Sequence, residues 1–81
     1  MIVKFGDDTD SFTVAAILAS ITKWTIEVEY AEGVTAFPKR CSIFQTSLED
    51  IVICDVDETG MPVTNSLYHV GYGQIKSITI L

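Results

Sequence analysis

The last third of the chain, Ile51 to Leu81, constrains the fold most, because its short β-type runs each end in turn residues. Ile51 to Val56 is apolar at nearly every position, as a strand covered on both faces would be, and Asp57-Glu58-Thr59-Gly60 closes it with turn chemistry. Val63 to Tyr72 reads as a long, bent strand. Gly71 and Gly73 then permit a tight step into a closing strand, Ile75 to Leu81, with Ile78 and Ile80 on one face. Upstream the period is also two: Ile26, Val28 and Tyr30 point one way and Thr25, Glu27 and Glu29 the other, the pattern of a half-buried antiparallel strand. Ala31-Glu32-Gly33 turns the chain. Val34 to Phe37 resumes the sheet, Pro38 interrupts its ladder, and Cys41 to Thr46 continues it to a turn at Ser47 to Asp50.

Helical spacing occurs once. Val14, Ile17, Leu18 and Ile21 fall at i, i+3, i+4 and i+7, and Ala15, Ala16 and Ala19 raise the propensity. Asp7, Asp8 and Asp10 precede this stripe, supplying N-cap candidates and negative charge where the helix dipole favours it. The spacing predicts a helix over about 11–23, ending before Trp24. Met1 to Phe5 is a short β-prone run ended by Gly6. One helix followed by five strands over about 25–81 predicts a mainly β, α+β domain: a small, strongly bent antiparallel sheet closing into a small barrel, with the helix over one end. An open meander covered by the helix is the alternative.

With 81 residues, 48% of them hydrophobic, the chain reads as one domain spanning 1–81, near the lower end of sizes that fold unaided. Its longest apolar-rich segment, Phe12 to Trp24, is broken by Thr13, Ser20, Thr22 and Lys23 and falls short of the roughly 20 apolar residues of a membrane span. Acidic residues stand before it where a secretory signal carries basic ones, so the expected location is the cytoplasm, with no membrane partner. Two cysteines, Cys41 and Cys54, are too few for a disulfide framework or a thiolate zinc site and read as buried thiols. A hairpin turning near Ser47 to Asp50 places Ile43, rather than Cys41, opposite Cys54, so a disulfide would need a shifted register.

The formal net charge is -6, from 11 acids against 5 bases. The acids fall in three groups, Asp7 to Asp10, Glu27 to Glu32 and Glu49 to Glu58, and the one basic pair, Lys39-Arg40, is too small to reverse them. This balance argues against direct nucleic-acid binding, which needs a basic patch or stripe.

Two stretches imitate reactive motifs. Ile51 to Gly60 looks like the first motif of the haloacid dehalogenase phosphotransferases, an apolar strand followed by Asp55-x-Asp57-x-Thr59. That chemistry requires a parallel sheet with crossover helices, whereas the residues after Gly60 read as β throughout. The same acids imitate the start of a calcium loop, but Ser66 stands where its bidentate Glu should be. A β-turn with solvated acids accounts for them. His69 is the only histidine, and no Ser or Cys is tied to it by spacing, so neither a catalytic residue, a metal site nor a cofactor is expected.

The helix, the Tyr30-Ala31-Glu32-Gly33 turn, Pro38 in the second strand, Ile51 to Asp55 and Gly71 to Leu81 together resemble a WYL domain, over roughly Thr13 to Leu81. The best local match is Gln74-Ile75-Lys76-Ser77-Ile78-Thr79-Ile80-Leu81, similar to the family's closing strand. The resemblance implies an Sm-like or SH3-like barrel that binds ligands, including nucleic acids, in transcriptional or defence regulation. The chain departs from the family at two places. No aromatic stands near Ile51-Val52-Ile53, where the Trp-Tyr-Leu signature belongs, and Gly71-Tyr72-Gly73-Gln74 replaces an Arg-rich approach to the last strand. Gln74 cannot supply the fixed positive fork of an arginine.

Three functions are compatible with these readings. The leading one is a non-enzymatic protein-interaction module that offers a strand edge or an aromatic patch to a protein partner or to its own copy. The closing strand Ile78-Thr79-Ile80-Leu81 lacks the charge or proline that blunts an exposed edge, while Tyr68 and Tyr72 pair an apolar face with a polar tip. Phe37 and Phe44 read as core. The second is an acidic inhibitor of a nucleic-acid-handling protein, of the kind small phage-encoded factors provide, with Glu27, Glu29 and Glu32, or Asp55, Asp57 and Glu58, standing where phosphates would lie. The third is a degenerate WYL-type sensor of a nucleotide or oligonucleotide, with Gln74 at its site.

Overall fold

A computed structural model describes residues 2–5, 10–22 and 24–81, with the side chain of Ser11 left aside. Asp7, Asp8 and Thr9, expected before the helix, lie outside the described residues, as do Gly6 and Lys23. The chain runs β1 (Ile2–Lys4), α1 (Ser11–Ala19), β2 (Thr25–Tyr30), β3 (Arg40–Thr46), β4 (Asp50–Val56), β5 (Pro62–Gly71), a 3₁₀ turn (Tyr72–Gln74) and β6 (Ile75–Ile80). All pairings are antiparallel, in the order β1-β6-β2-β3-β4-β5. The fold is therefore mainly β with one helix, a small α+β domain. The ladder is linear among the described residues, with β1 and β5 at its ends, and the pairing does not record the closed barrel of the expectation.

The N-terminal run, read only as β-prone, becomes a sixth strand. Ile2, Val3 and Lys4 lie opposite Thr79, Ile78 and Ser77. β6 is thereby held between β1 and β2, so the apolar closing strand is an interior strand and not the open edge expected of it.

Asp10 caps the helix, its carboxylate accepting from the Phe12 N–H at 3.0 Å and from the Thr13 hydroxyl at 2.9 Å. The expected stripe is the buried one: Val14, Leu18 and Ile21 enter the core, with Ile17 packed against it. The helix ends at Ala19, four residues before its expected end. The Ser20 hydroxyl donates to the Ile17 carbonyl at 2.6 Å and the Thr22 hydroxyl to the Ala19 carbonyl at 3.3 Å, while the N–H groups of Ser20, Ile21 and Trp24 each donate to the carbonyl three residues earlier.

Val34 to Phe37 does not form the expected strand, and β3 begins only at Arg40. Tyr30 explains the detour. Its ring packs on Phe37 at 5.5 Å between centroids and its hydroxyl donates to the Pro38 carbonyl at 2.6 Å, drawing the segment against the core instead of along the sheet. The Val28 N–H still reaches the Lys39 carbonyl at 2.7 Å, where pairing resumes.

The β3–β4 hairpin follows the expected register only near its turn. Thr46 opposes Ile51 and Gln45 opposes Val52, but Phe44 is an extra residue, so beyond it Ile43 opposes Ile53 and Ser42 opposes Cys54. Cys54 thus faces Ser42 rather than Ile43, a one-residue slip produced by the bulge. Both thiols are free and fully buried. The expected bend in β5 is a wider irregularity: Leu67 opposes Cys54 and Val63 already opposes Asp55, leaving Thr64, Asn65 and Ser66 out of register. β4 is buried at Ile51, Val52, Ile53 and Cys54 in succession, as a strand covered on both faces must be.

Candidate functional site

Partners directly opposite in an antiparallel sheet share a face, so Thr25, Ser42, Cys54 and Leu67 form one row across β2, β3, β4 and β5. Ser42 and Cys54 are inaccessible, whereas Leu67 at the β5 end is 45% exposed. Beside this row a groove of about 310 Å³ is lined by Thr22, Ile43, Phe44, Cys54, Pro62 and Thr64. Phe44 is 48% exposed, which corrects its assignment to the core: the bulge that shifts the register also turns this side chain outward. Phe37 does pack against the core. The hairpin tip reaches back to the same row, with the Thr25 hydroxyl donating to the Gly60 carbonyl at 3.1 Å.

Apolar exposure continues elsewhere. Phe12 is 71% exposed, Met61 62% and Trp24 56%, and no charged residue lies between Ser11 and Ala19. A helix that is apolar on all sides is ordinarily buried on all sides, yet here Phe12, Ala16 and Ala19 are exposed. The sequence signal for this surface is the absence of charge over Ser11 to Thr22, which a search for reactive motifs passes over.

The two tyrosines expected to make contacts sit in different settings. Tyr68, on β5, is half-buried, meets Phe37 edge-on at 6.3 Å and donates its hydroxyl to Asp55 at 3.2 Å. The nearby Asp55 carboxylate, with partial desolvation, raises its pKa. Tyr72, in the 3₁₀ turn, packs at 5.7 Å against Phe5 with the rings tilted by 39° and donates to the Ser47 carbonyl; burial, followed by the Asp50 charge, raises its pKa. Tyr30 is also pushed up, by burial first and then by Cys41 and Tyr68. Gln74 braces the turn that closes β5. Its Oε1 accepts from the Gly71 N–H at 3.1 Å, and its carbonyl accepts from the Ala31 N–H at 2.8 Å.

The acids divide similarly. Glu27 lies 3.7 Å from Lys39 and Glu29 3.3 Å from Lys76, so each of these expected phosphate mimics stands beside a cation, while Glu32 is exposed in the Gly33 turn. Asp55 is occupied by Tyr68. Asp57 organises the next turn, accepting from the Thr59 hydroxyl at 2.7 Å, the Thr59 N–H at 2.9 Å and the Met61 N–H at 3.0 Å. These bonds, led by the Thr59 hydroxyl, hold its pKa below the usual carboxylate range. Glu58 is exposed at the tip. The strand before Asp55 lies in an antiparallel sheet, so the phosphotransferase look-alike lacks its required setting. No group of three or more potential metal ligands occurs among the described residues. Nor is any described helix long and apolar enough to cross a membrane.

The remaining constructive feature is β5 itself. It is the longest strand, its outer side is unpaired by any described strand, and Pro62 to Gly71 contains no Asp, Glu, Lys or Arg. Comparison with known proteins finds no matching family model, no matching curated protein and no matching solved structure.

Proposed function

We propose that this chain is a small, non-enzymatic protein-interaction module. The observation that carries the reading is large apolar surface left open on an acidic chain: Phe44 over the groove, Leu67 at the end of its row, and Trp24 and Phe12 on the helical side. Exposed apolar groups scattered singly need no explanation, but a groove continuous with an uncharged strand edge is what a protein partner covers. The site residues of this reading are Phe44, Leu67, Tyr68 and Trp24. Tyr72 and Gln74 support them from the turn that closes β5. Acidic mimicry has less support, because Glu27 and Glu29 stand beside lysines and Asp55 and Asp57 spend their oxygens on Tyr68 and on the turn.

The test is capture of proteins from source-cell lysate by the wild type, by Phe44→Ser and by Trp24→Ser, at low and high salt. The expected result is a protein retained at high salt and lost from at least one variant whose circular dichroism is unchanged. Retention that survives both substitutions but disappears in high salt would sink the apolar-surface reading and favour the acidic one.

A further inference from the structure

The free side of β5 has a readable hydrogen-bonding phase. The Tyr72 N–H donates to the Glu49 carbonyl at 3.1 Å, one step beyond the Asp50–Gly71 register pair. Inward-bonding residues alternate along an antiparallel ladder, so Val70 and Tyr68 turn their backbone groups toward β4, and Leu67, His69 and Gly71 turn theirs away. Gly71 fits this phase, since its outward N–H is the one taken by Gln74 Oε1. No described backbone group pairs with Leu67 or His69 on that side.

The open template is therefore short and bounded. Gln74 closes it at Gly71, and the irregularity at Thr64 to Ser66 closes it at the other end. Between these stops lie two N–H and two C=O groups, from Leu67 and His69. They are related by a local two-fold axis through Tyr68, because an antiparallel copy of the same segment presents the same four groups in reverse order.

We propose that β5 pairs with β5 of a second copy of this chain, Leu67 opposite the partner's His69, with Tyr68 on the axis. The proposal rests on the interaction-module reading and names its partner. The two-fold symmetry of the four free groups selects that occupant, and charge selects the face. Each copy carries -6, so faces bearing the acids repel one another, whereas Pro62 to Gly71 brings an uncharged segment to an uncharged segment. The register follows from the bounds: only pairing centred on Tyr68 satisfies all four groups without calling on the Gly71 N–H. In that arrangement the two Tyr68 residues form the non-hydrogen-bonded pair, whose Cα atoms approach to about 4.5 Å, within the range a disulfide spans.

Sedimentation equilibrium of the wild type, with oxidative crosslinking of Tyr68→Cys and Leu67→Cys, tests this. The native thiols are buried and serve as the unreactive background. The expected result is a concentration-dependent dimer, a Tyr68→Cys crosslink well in excess of any Leu67→Cys crosslink, and dissociation made at least about tenfold easier by Leu67→Lys, which charges the edge. Leu67→Lys alters an exposed side chain, so it reports even if Tyr68→Cys folds poorly. A wild type that stays monomeric at about 1 mM, or a dimer indifferent to Leu67→Lys, overturns the proposal. A monomer that nevertheless retains a protein through Phe44 or Trp24 overturns self-pairing alone and leaves the module reading standing.

Discussion

Replacing Ser42 by alanine should stabilise this protein. Ser42 lies in the row between Thr25 and Cys54, is fully buried, and its Oγ finds no hydrogen-bond partner among the described residues. A buried hydroxyl left unpaired costs about 1–3 kcal/mol relative to one that is satisfied. Removing it forfeits only the dispersion contacts of one oxygen, at about 0.1–0.2 kcal/mol for each atom pair, and leaves a void smaller than a methyl group. The balance favours Ser42→Ala by about 1 kcal/mol, which for a domain of this size corresponds to a rise in Tm of about 4–8 °C. Urea unfolding should show a higher midpoint with an unchanged slope, so that the difference is one of stability and not of denatured-state compactness. Ser42→Cys, which keeps a small polarisable atom in the site, should also be tolerated. A loss of about 0.5 kcal/mol or more in Ser42→Ala, by the same scale, would refute the reasoning, because it would mean that the hydroxyl makes a hydrogen bond that contributes net stability.

Gly33 and Gly60 both adopt positive φ, at 86° and 85°, but they should respond differently to alanine. At Gly33 a Cβ meets nothing within 4 Å, so Gly33→Ala should cost only the left-handed backbone penalty of roughly 1–2 kcal/mol, whereas at Gly60 the Cβ would lie 3.0 Å from the Thr25 hydroxyl that anchors the tip. Gly60→Ala should therefore be the less stable variant by urea unfolding, and equal losses would contradict the role given to the Thr25 tie. Burial pushes the Cys41 thiol up to about 12, with Cys54 and Asp55 adding to the effect. A raised folded pKa means that stability is fully present below the unfolded thiol value and is lost as pH climbs from there toward 12, a loss that Cys41→Ser should reduce in alkaline unfolding curves. Asp57 has the opposite sign. Its depressed pKa contributes stability above the ordinary carboxylate range that disappears as pH falls through the folded value, so Asp57→Asn should flatten the acid limb of unfolding, and an unchanged limb would argue against the turn as the source of that sensitivity.

Local pattern and long-range placement differed sharply in how far they could be read from the sequence. The buried helix stripe and the alternation in β2 rest on periodicity and the double burial of β4 on an unbroken apolar run, all properties of neighbouring residues, and each is found in the structure. Register beyond Phe44 and the path from Val34 to Pro38 depend on which side chain finds space against the core, and periodicity carries no information about that. The alternation of β2 places Tyr30 with Ile26 and Val28, and its ring does pack against the core, yet its hydroxyl bond to the Pro38 carbonyl, which removes the next segment from the sheet, joins residues that the strand pattern treats separately. The acids show the same limit. Composition records six excess negative charges, but not that Glu27 stands beside Lys39, Glu29 beside Lys76, or Asp57 within its own turn.

Edge exposure is the case with functional consequences. Ile78-Thr79-Ile80 has the composition of a dangerous edge because it has the composition of an interior strand, and the two cannot be separated without knowing what lies on either side. β1 supplies the answer: three residues from the N-terminal run cover β6, which leaves the three-residue β1 as the edge at that end and β5 as the long edge at the other. β5 reduces that liability in two of the ways open to an uncharged edge. It breaks its regularity at Thr64 to Ser66, and it spends the Gln74 amide on the last outward N–H. What is left between Leu67 and His69 is too short to template indefinite strand addition, and the proposed pairing uses no more than that length. A single substitution therefore separates a recognition edge from a merely tolerated one: Gln74→Ala, by releasing the Gly71 N–H, should lengthen the open template and promote higher association if β5 is a pairing edge, and should leave the association state unchanged if it is not.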